Sequence, residues 1–134
     1  MTRKPVWQPS ASQAALESRA QQLAFVRGFF ARRGVLEVET PILGRCGVTD
    51  VNLDGIHAQV TAGSRTGGWL QTSPEYHMKR LLAAGSGSIY QISRVFRNGE
   101  QGRRHNPEFS MLEWYRTGFD DVALMEEVSD LVCG

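Results

Sequence analysis

The stretch Ile89-Tyr90-Gln91-Ile92-Ser93-Arg94-Val95-Phe96-Arg97, followed after Asn98 to Pro107 by Glu108-Phe109-Ser110-Met111-Leu112-Glu113-Trp114-Tyr115-Arg116, decides how the chain is read. It reads as two strands around a long polar loop. Side chains alternate faces along a strand. Gln91, Ser93, Val95 and Arg97 therefore share one face of the first strand, and Tyr90, Ile92, Arg94 and Phe96 the other. In the second strand Phe109, Met111, Glu113 and Tyr115 oppose Ser110, Leu112 and Trp114. Antiparallel pairing gathers Arg97, Phe109, Glu113 and Tyr115 in one row: a guanidinium, an aromatic plate, a carboxylate and a phenol. Phe96, Ile92, Leu112 and Trp114 form the opposite, core-facing side.

The loop adds Arg103, Arg104 and His105. One ligand set that fits is a polyanion beside an aromatic ring with a carboxylate for an amine, as in ATP plus a cationic amino acid. A hairpin with one solvated face, on which Arg and Glu pair across strands, accounts for the same alternation. Spacing alone does not separate the two.

The 134 residues suffice for one domain. With 15 Lys+Arg against 14 Asp+Glu, no basic excess points to nucleic acid as the main partner. Cys46 and Cys133 lack metal or redox spacing and read as buried or free thiols in a reducing compartment. Met1 to Ser10 has Arg3 and Lys4 but no apolar run, so no signal peptide is expected. No apolar run approaches the ~20 residues that cross a membrane. A cytoplasmic protein without repeats is expected.

Residues 1–9 are a polar lead with Pro5 and Pro9. Ser10 and Gln13 stand at capping-box spacing. A helix of about six turns follows. Leu16, Ala20, Leu23, Ala24 and Phe30 line one face, while Glu17, Arg19, Gln22 and Arg27 turn away. Arg32 and Arg33 fill the last turn, and Gly34 suits a left-handed stop. Such a helix serves core packing or a subunit interface. Val35 to Thr40 reads as a strand, with Leu36 and Val38 opposite Glu37 and Glu39, closed by Pro41. Ile42 to Asp50 reads as a loop, Val51 to Val60 as one or two short strands, Thr61 to Gly68 as a glycine-rich turn and Trp69 to Thr72 as a strand.

Ser73, Pro74 and Glu75 suit the N-cap, first position and first turn of a helix that stops at Gly85. Tyr76, Met78, Leu81 and Leu82 are its apolar residues; Lys79 and Arg80 read as a solvated face. Glu75, at a strand-to-helix junction, is either a helix-end charge or a ligand-facing residue. After the hairpin, Asp120 or Asp121 caps a last helix whose Val122, Leu124, Met125, Val128, Leu131 and Val132 form a stripe that needs a partner surface.

Val95-Phe96-Arg97-Asn98 and the run His105-Asn106-Pro107-Glu108-Phe109-Ser110-Met111-Leu112-Glu113-Trp114-Tyr115 resemble the second signature motif of class II aminoacyl-tRNA synthetases, in the lysyl branch. H-N-P-E-F followed by M-L-E-x-Y is long and specific; aspartyl and asparaginyl relatives share the E-F core but lack the E-x-Y ending. Residues 16–41 resemble the first motif, which in this family forms the dimer interface, and Thr72 to Leu81 also matches the lysyl branch. The resemblance covers residues 10–132. It implies an α+β fold with an antiparallel sheet flanked by helices. Residues 1–9 would be a lead, and 10–134 the first part of a catalytic domain with its second motif at 89–116.

Only about nine residues precede the long helix, too few for an anticodon-binding five-stranded barrel. Ser73 to Lys79 and Trp114-Tyr115-Arg116 look most like stand-alone paralogues that attach (R)-β-lysine to a lysine of elongation factor P. The resemblance thus implies activation of lysine or (R)-β-lysine by ATP as an adenylate and transfer to elongation factor P. It implies a homodimer joined through helix 10–33, with no tRNA and no membrane involved. The alternatives are a reduced lysyl-tRNA synthetase and a non-catalytic nucleotide-binding or dimerising fragment.

By match of motif, Arg97 is the catalytic residue, binding the α-phosphate and the amino-acid carboxylate and stabilising charge during attack. His105 and Arg103 would hold the outer phosphates, Phe109 would stack under adenine, and backbone near Asn106 would read the adenine edge. Glu113 and Tyr115 would hold the substrate's cationic amine and Glu75 the other amino group, with Ser73 also in the substrate site. The motif's usual R-x-E is replaced by Arg97-Asn98-Gly99-Glu100, so Glu100 is expected to stand in for the missing glutamate. The third signature motif, whose arginine covers the other face of adenine, has no match. Nor have the acidic ligands of Mg²⁺, which are expected beyond residue 134; no metal ligand is assigned within the chain. Negligible adenylate formation by these residues alone is expected.

Overall fold

A computed structural model describes residues 7–62 and 65–134. The elements in chain order are α1 (Gln13–Arg32), β1 (Leu36–Glu37), β2 (Leu43–Gly44), β3 (Ile56–Ala62), β4 (Arg65–Leu70), α2 (Glu75–Ala83), β5 (Ile89–Phe96), β6 (Glu108–Tyr115) and α3 (Asp121–Cys133). The α+β class expected from the sequence is the class observed.

α1 is capped by Ser12, whose Oγ accepts from the Ala15 N–H at 3.2 Å. The cap therefore lies two residues beyond Ser10, and Gln13 donates forward to Glu17 at 3.0 Å instead of closing a box. At the other end Gly34 takes φ 66°, which lets Gly34 N–H reach Ala31 O and Val35 N–H reach Phe30 O, both at 3.1 Å. These bonds satisfy carbonyls that the helix end would orphan. Only Phe29 and Phe30 of α1 are buried, and Leu16 and Phe25 are exposed. Arg19, expected to turn away, donates to Ser110 Oγ of β6 at 2.6 Å.

One sheet has the order β1-β5-β6. β5 and β6 pair antiparallel from Ile89↔Tyr115 to Phe96↔Glu108, which sets the two faces as the alternation predicts. β1 lies parallel to β5 but has only two ladder residues, shorter than the strand expected over 35–40. Beyond it, Val38 N–H still donates to Tyr90 O at 2.9 Å and Thr40 Oγ1 to Gln91 Oε1 at 2.9 Å.

The core fills the space between this sheet and the end of α1. Phe30 is fully buried, stacks on Tyr90 at 4.5 Å and leans on Trp114 at 5.5 Å. Ile92, Leu112 and Leu131 pack around it. Burial of each such aromatic contributes about 2–3 kcal/mol. Phe96, at the far end of β5, is half-buried. The opposite face is not solvated along β5: Gln91, Ser93 and Val95 are buried, while Phe109, Met111, Glu113 and Tyr115 are half-buried. The ion pair across the strands, Arg94–Glu108 at 3.7 Å, stands on the other face.

The second sheet has the order β2-β4-β3. The loop expected over 42–50 thus contains a short strand, and most of the expected glycine-rich turn is strand, with Gly63 and Ser64 outside the described residues. Gly68 explains the tight approach of β2: a Cβ there would lie 2.9 Å from Leu43 Cδ1 and 3.1 Å from Gly44 O. β4 stops at Leu70 rather than Thr72 because Gln71 changes partners. Its N–H donates to Ile42 O, its carbonyl accepts from Phe96 N–H, and its Nε2 donates to Arg94 O, each at 2.9 Å. Gln71 thereby joins the two sheets and carries the chain alongside β5 into Ser73.

In α2 the N-cap position falls on Pro74, one residue later than expected, yet Ser73 Oγ still accepts from the Glu75 N–H at 3.1 Å. Asp120 caps α3 through the Ala123 N–H at 2.9 Å. Most of the apolar stripe expected of α3 is exposed and, among the described residues, lacks the partner surface it needs. Glu127 is the buried residue, flanked by the half-buried Ala123 and Leu131, whereas Val122, Met125 and Val132 are exposed. Cys46 and Cys133 are free and exposed. No helix among the described residues is long and apolar enough to cross a membrane.

Candidate active site

Glu113 projects from β6 on the face it shares with Phe109 and Tyr115, and two hydroxyls meet it. Tyr115 donates to Oε1 at 2.7 Å and Ser73 donates to Oε2 at 2.8 Å. Tyr115 lies two residues along, so the strand's alternation brings phenol and carboxylate together. Ser73 arrives from the turn that Gln71 pins beside β5. Burial first, then the hydrogen bond and charge of Glu113, hold Tyr115 well above the ordinary phenol value. The phenol therefore stays a donor, and Glu113 is oriented without being neutralised.

Arg97 continues β5 past its last ladder pair, its N–H donating to Pro107 O at 2.9 Å. The guanidinium carbon lies 5.2 Å from the centroid of the Phe109 ring, a cation–π distance. Its Nη1 is 3.7 Å from Glu100, while its buried Nε has no partner. A buried, unpartnered guanidinium N–H beside an aromatic ring suits an anion attached to a flat heterocycle. The loop beyond is anchored by Asn98, whose N–H and Nδ2 donate to Asp54 O and Oδ2, both at 2.8 Å. Its tip turns on Gly102 N–H to His105 O at 3.0 Å, and Arg103, His105 and Asn106 stand exposed.

A cavity of about 260 Å³ opens beside this row, lined among others by Leu53, Trp69, Thr72, Ser73, Glu75 and Tyr76. Thr49 and Tyr76 hydroxyls bond at 2.8 Å on its wall. Glu75 faces this space while paired with Lys79 one helical turn later. The hydrogen bond to Glu75 first, and then the charges of Glu75 and Glu113, raise Lys79 above the usual ammonium value.

The expected residues thus fall into two groups: Arg97, Phe109 and Glu100, and Ser73, Glu75, Glu113 and Tyr115. Arg103, His105 and Asn106 join neither by a side-chain contact among those described. Among the described residues no three His, Cys, Asp or Glu side chains gather as metal ligands.

Sequence reasoning missed a second carboxylate centre. Glu127, 4% exposed, accepts from Trp114 Nε1 at 3.1 Å. Arg116 Nε lies 3.2 Å and Arg33 Nε 3.7 Å from its Oε1; the Arg116 contact is an ion pair whose N–H does not align as a hydrogen bond. Arg33 also reaches Asp130 at 3.0 Å and lies over Phe29 at 3.5 Å. The available signal was the indole N–H of Trp114 on the core face, which needs an acceptor when buried.

The sequence pattern of the family described as tRNA synthetases class II (D, K and N) matches residues 6–134. The chain is 57% identical over 136 aligned residues to the elongation factor P–(R)-β-lysine ligase of Mannheimia succiniciproducens, covering 98% of this chain and 42% of that protein. It is 58% identical over 129 residues to the protein of the same name from Pasteurella multocida, covering 94% and 40%. With that of Yersinia enterocolitica it shares 55% over 135 residues, covering 98% and 42%. The chain thus spans about two fifths of the length of these relatives, all named as ligases. The chain belongs to the class II tRNA synthetases of the D, K and N type.

Proposed function

We propose that this chain is part of an ATP-dependent ligase that activates lysine or (R)-β-lysine and transfers it to a lysine of elongation factor P. The observation that carries the reading is Glu113: a half-buried carboxylate, oriented by two neutral hydroxyls, with its charge left for a cation. The names of the relatives support the acceptor. Residues 10–134 act as one part of the catalytic domain.

In this reading the substrate carboxylate oxygen attacks the α-phosphorus of ATP, an acyl–phosphate bond forms and pyrophosphate leaves. The acceptor amine then attacks the acyl carbon, an amide forms and AMP leaves. Arg97 holds the α-phosphate and the substrate carboxylate, so that charge growing in the transition state meets a fixed guanidinium. Phe109 lies under the adenine, backbone at Asn106 reads its edge, and Arg103 and His105 close on the outer phosphates. Glu100 takes the place of the motif's usual glutamate. Glu113 and Tyr115 receive one ammonium group and Glu75 the other, with Ser73 fixing the Glu113 carboxylate and the Glu75 N–H. The chain's contribution is positioning and electrostatics.

The exposed Leu16 and Phe25 of α1 support dimerisation through that helix, and a translation factor as acceptor supports a cytoplasmic reaction. The test is a chimera in which this chain replaces the matching part of the Yersinia enterocolitica relative. Lysine- or β-lysine-dependent exchange of pyrophosphate into ATP is expected, followed by labelling of elongation factor P, and Arg97→Ala should abolish exchange. Charging of lysine tRNA with no labelling of the factor would replace this reading with a tRNA synthetase; a chimera inert in both assays would leave a binding fragment.

A further inference from the structure

Glu75 opens α2, and Lys79 follows one turn later with its Nζ ion-paired to Glu75 Oε1. Many helix surfaces carry such a pair. The surroundings of this one are unusual. Glu75 lines the cavity, its N–H is held by Ser73 Oγ, and that same hydroxyl donates to Glu113. Besides Glu75, the charge of Glu113 acts on Lys79. The ammonium of Lys79 thus lies in the field of both carboxylates that the proposed function gives to the substrate's two amino groups.

We propose that Lys79 stands in for the substrate's second ammonium group, occupying Glu75 in the ligand-free protein and leaving it only for a ligand that carries two ammonium groups. This rests on the proposed function and adds to it a residue that competes with the substrate for Glu75. The pair is exposed, with side chains 57% and 45% accessible, so it does little for folding and parts at small cost. A ligand with one ammonium satisfies Glu113 and leaves Lys79 on Glu75. Lysine or β-lysine replaces the Lys79 charge with its own. The arrangement keeps Glu75 from standing unpaired when the site is empty, and it costs part of the affinity of any ligand that must displace the Lys79 charge.

Lys79 and Lys4 are the chain's two lysines, so isotope-labelled lysine makes Lys79 readable by NMR with Lys4 as internal reference. Lysine and 6-aminohexanoate, which lacks the α-amino group, are titrated into the 134-residue chain. Lysine should move the Lys79 side-chain resonance and 6-aminohexanoate should not. Lys79→Met should tighten lysine binding about twofold, the scale of an exposed ion pair, and leave 6-aminohexanoate binding as it was. Equal gains for both ligands would show that only a diffuse positive charge had been removed, and would overturn the proposal. So would lysine binding that leaves Lys79 unmoved. Either outcome leaves the proposed function standing. If neither ligand binds the wild type or the variant, the role of Lys79 is overturned, while the proposed function stands or falls separately on pyrophosphate exchange by the chimera.

Discussion

Glu113 and Glu127 are served by neighbouring residues of one strand and face opposite sides of the sheet. Glu113 accepts from Tyr115 and Ser73, both neutral, at 2.7 and 2.8 Å. Glu127 accepts from Trp114 at 3.1 Å and has Arg116 and Arg33 at 3.2 and 3.7 Å. Hydroxyls orient a carboxylate and leave its charge in place, whereas arginines orient it and cancel the charge. An uncancelled charge is tolerable only where water or a ligand can reach it. That matches the half-buried Glu113 and the closed-in Glu127. Two carboxylates beside one hairpin, Glu113 on β6 and Glu127 on α3, are told apart by the charge of their partners: one keeps a charge that its partners do not cancel, the other fastens α3 and the end of α1 to β6.

The contrast can be broken at either end. Glu127→Ala has the largest expected effect on stability. It leaves Arg116, 12% exposed, without its counter-charge, and should lower the unfolding free energy by about 3 kcal/mol in urea titration. A loss below about 1 kcal/mol would put Glu127 with the solvent-exposed pairs and erase the distinction. Glu113→Gln should do the reverse. The amide keeps the shape and can still accept from a hydroxyl, so stability should change by less than about 1 kcal/mol. Lysine affinity should fall about tenfold or more, because a charge-assisted bond becomes a neutral one. Unchanged lysine affinity would mean that Glu113 is not the partner of the amine.

The sequence made the Glu113 side legible and hid the Glu127 side, for a physical reason. Alternation along β5 and β6 fixes both faces once the strands pair, and the register from Ile89↔Tyr115 to Phe96↔Glu108 follows it. Phe109, Glu113 and Tyr115 therefore needed only local periodicity. Glu127 draws its partners from positions 33, 114 and 116, and a helical stripe judged by apolarity passes over a carboxylate. The apolar stripe of α3 was legible and stands exposed, but the inward face of Ala123, Glu127 and Leu131 was not, because a carboxylate is its buried member. The strand β2 was missed because two residues carry no period; its place depends on Gly68 admitting Leu43. Ser12 replaced Ser10 as the cap because small hydroxyls at both positions suit a cap and only the chain's entry angle decides. The bond from Ser73 to Glu113 spans 40 positions and depends on Gln71 bridging the sheets, which no local pattern shows.

A third pair lies between these extremes and gives a smaller effect. Tyr90 donates to Glu37 at 2.8 Å, and Glu37 also holds Arg27 at 3.1 Å. Burial first, then the bond to Glu37, push Tyr90 up to about 12. Its contribution to stability is therefore fully present below the ordinary phenol value of about 10 and is lost as pH rises through about 12. Tyr90→Phe should cost about 1 kcal/mol at neutral pH, the scale of one hydrogen bond. That gap should close between pH of about 10 and about 12, since the variant has no phenol to ionise.

Tyr115 is shifted in the same direction, by burial and then by Glu113, so it keeps its proton at any pH where the ligand keeps its own. Lysine binding should then decline with pH only as the ligand's own amines lose their protons, the α-amino group first and the side-chain amine near about 10.4. Tyr115→Phe should weaken binding a fewfold through loss of orientation and leave the shape of that pH profile unchanged. A profile that moves with Tyr115→Phe would mean that the phenol titrates within the working range. Glu113 would then be held by a partner whose charge changes, and its contrast with the arginine-bound Glu127 would depend on pH.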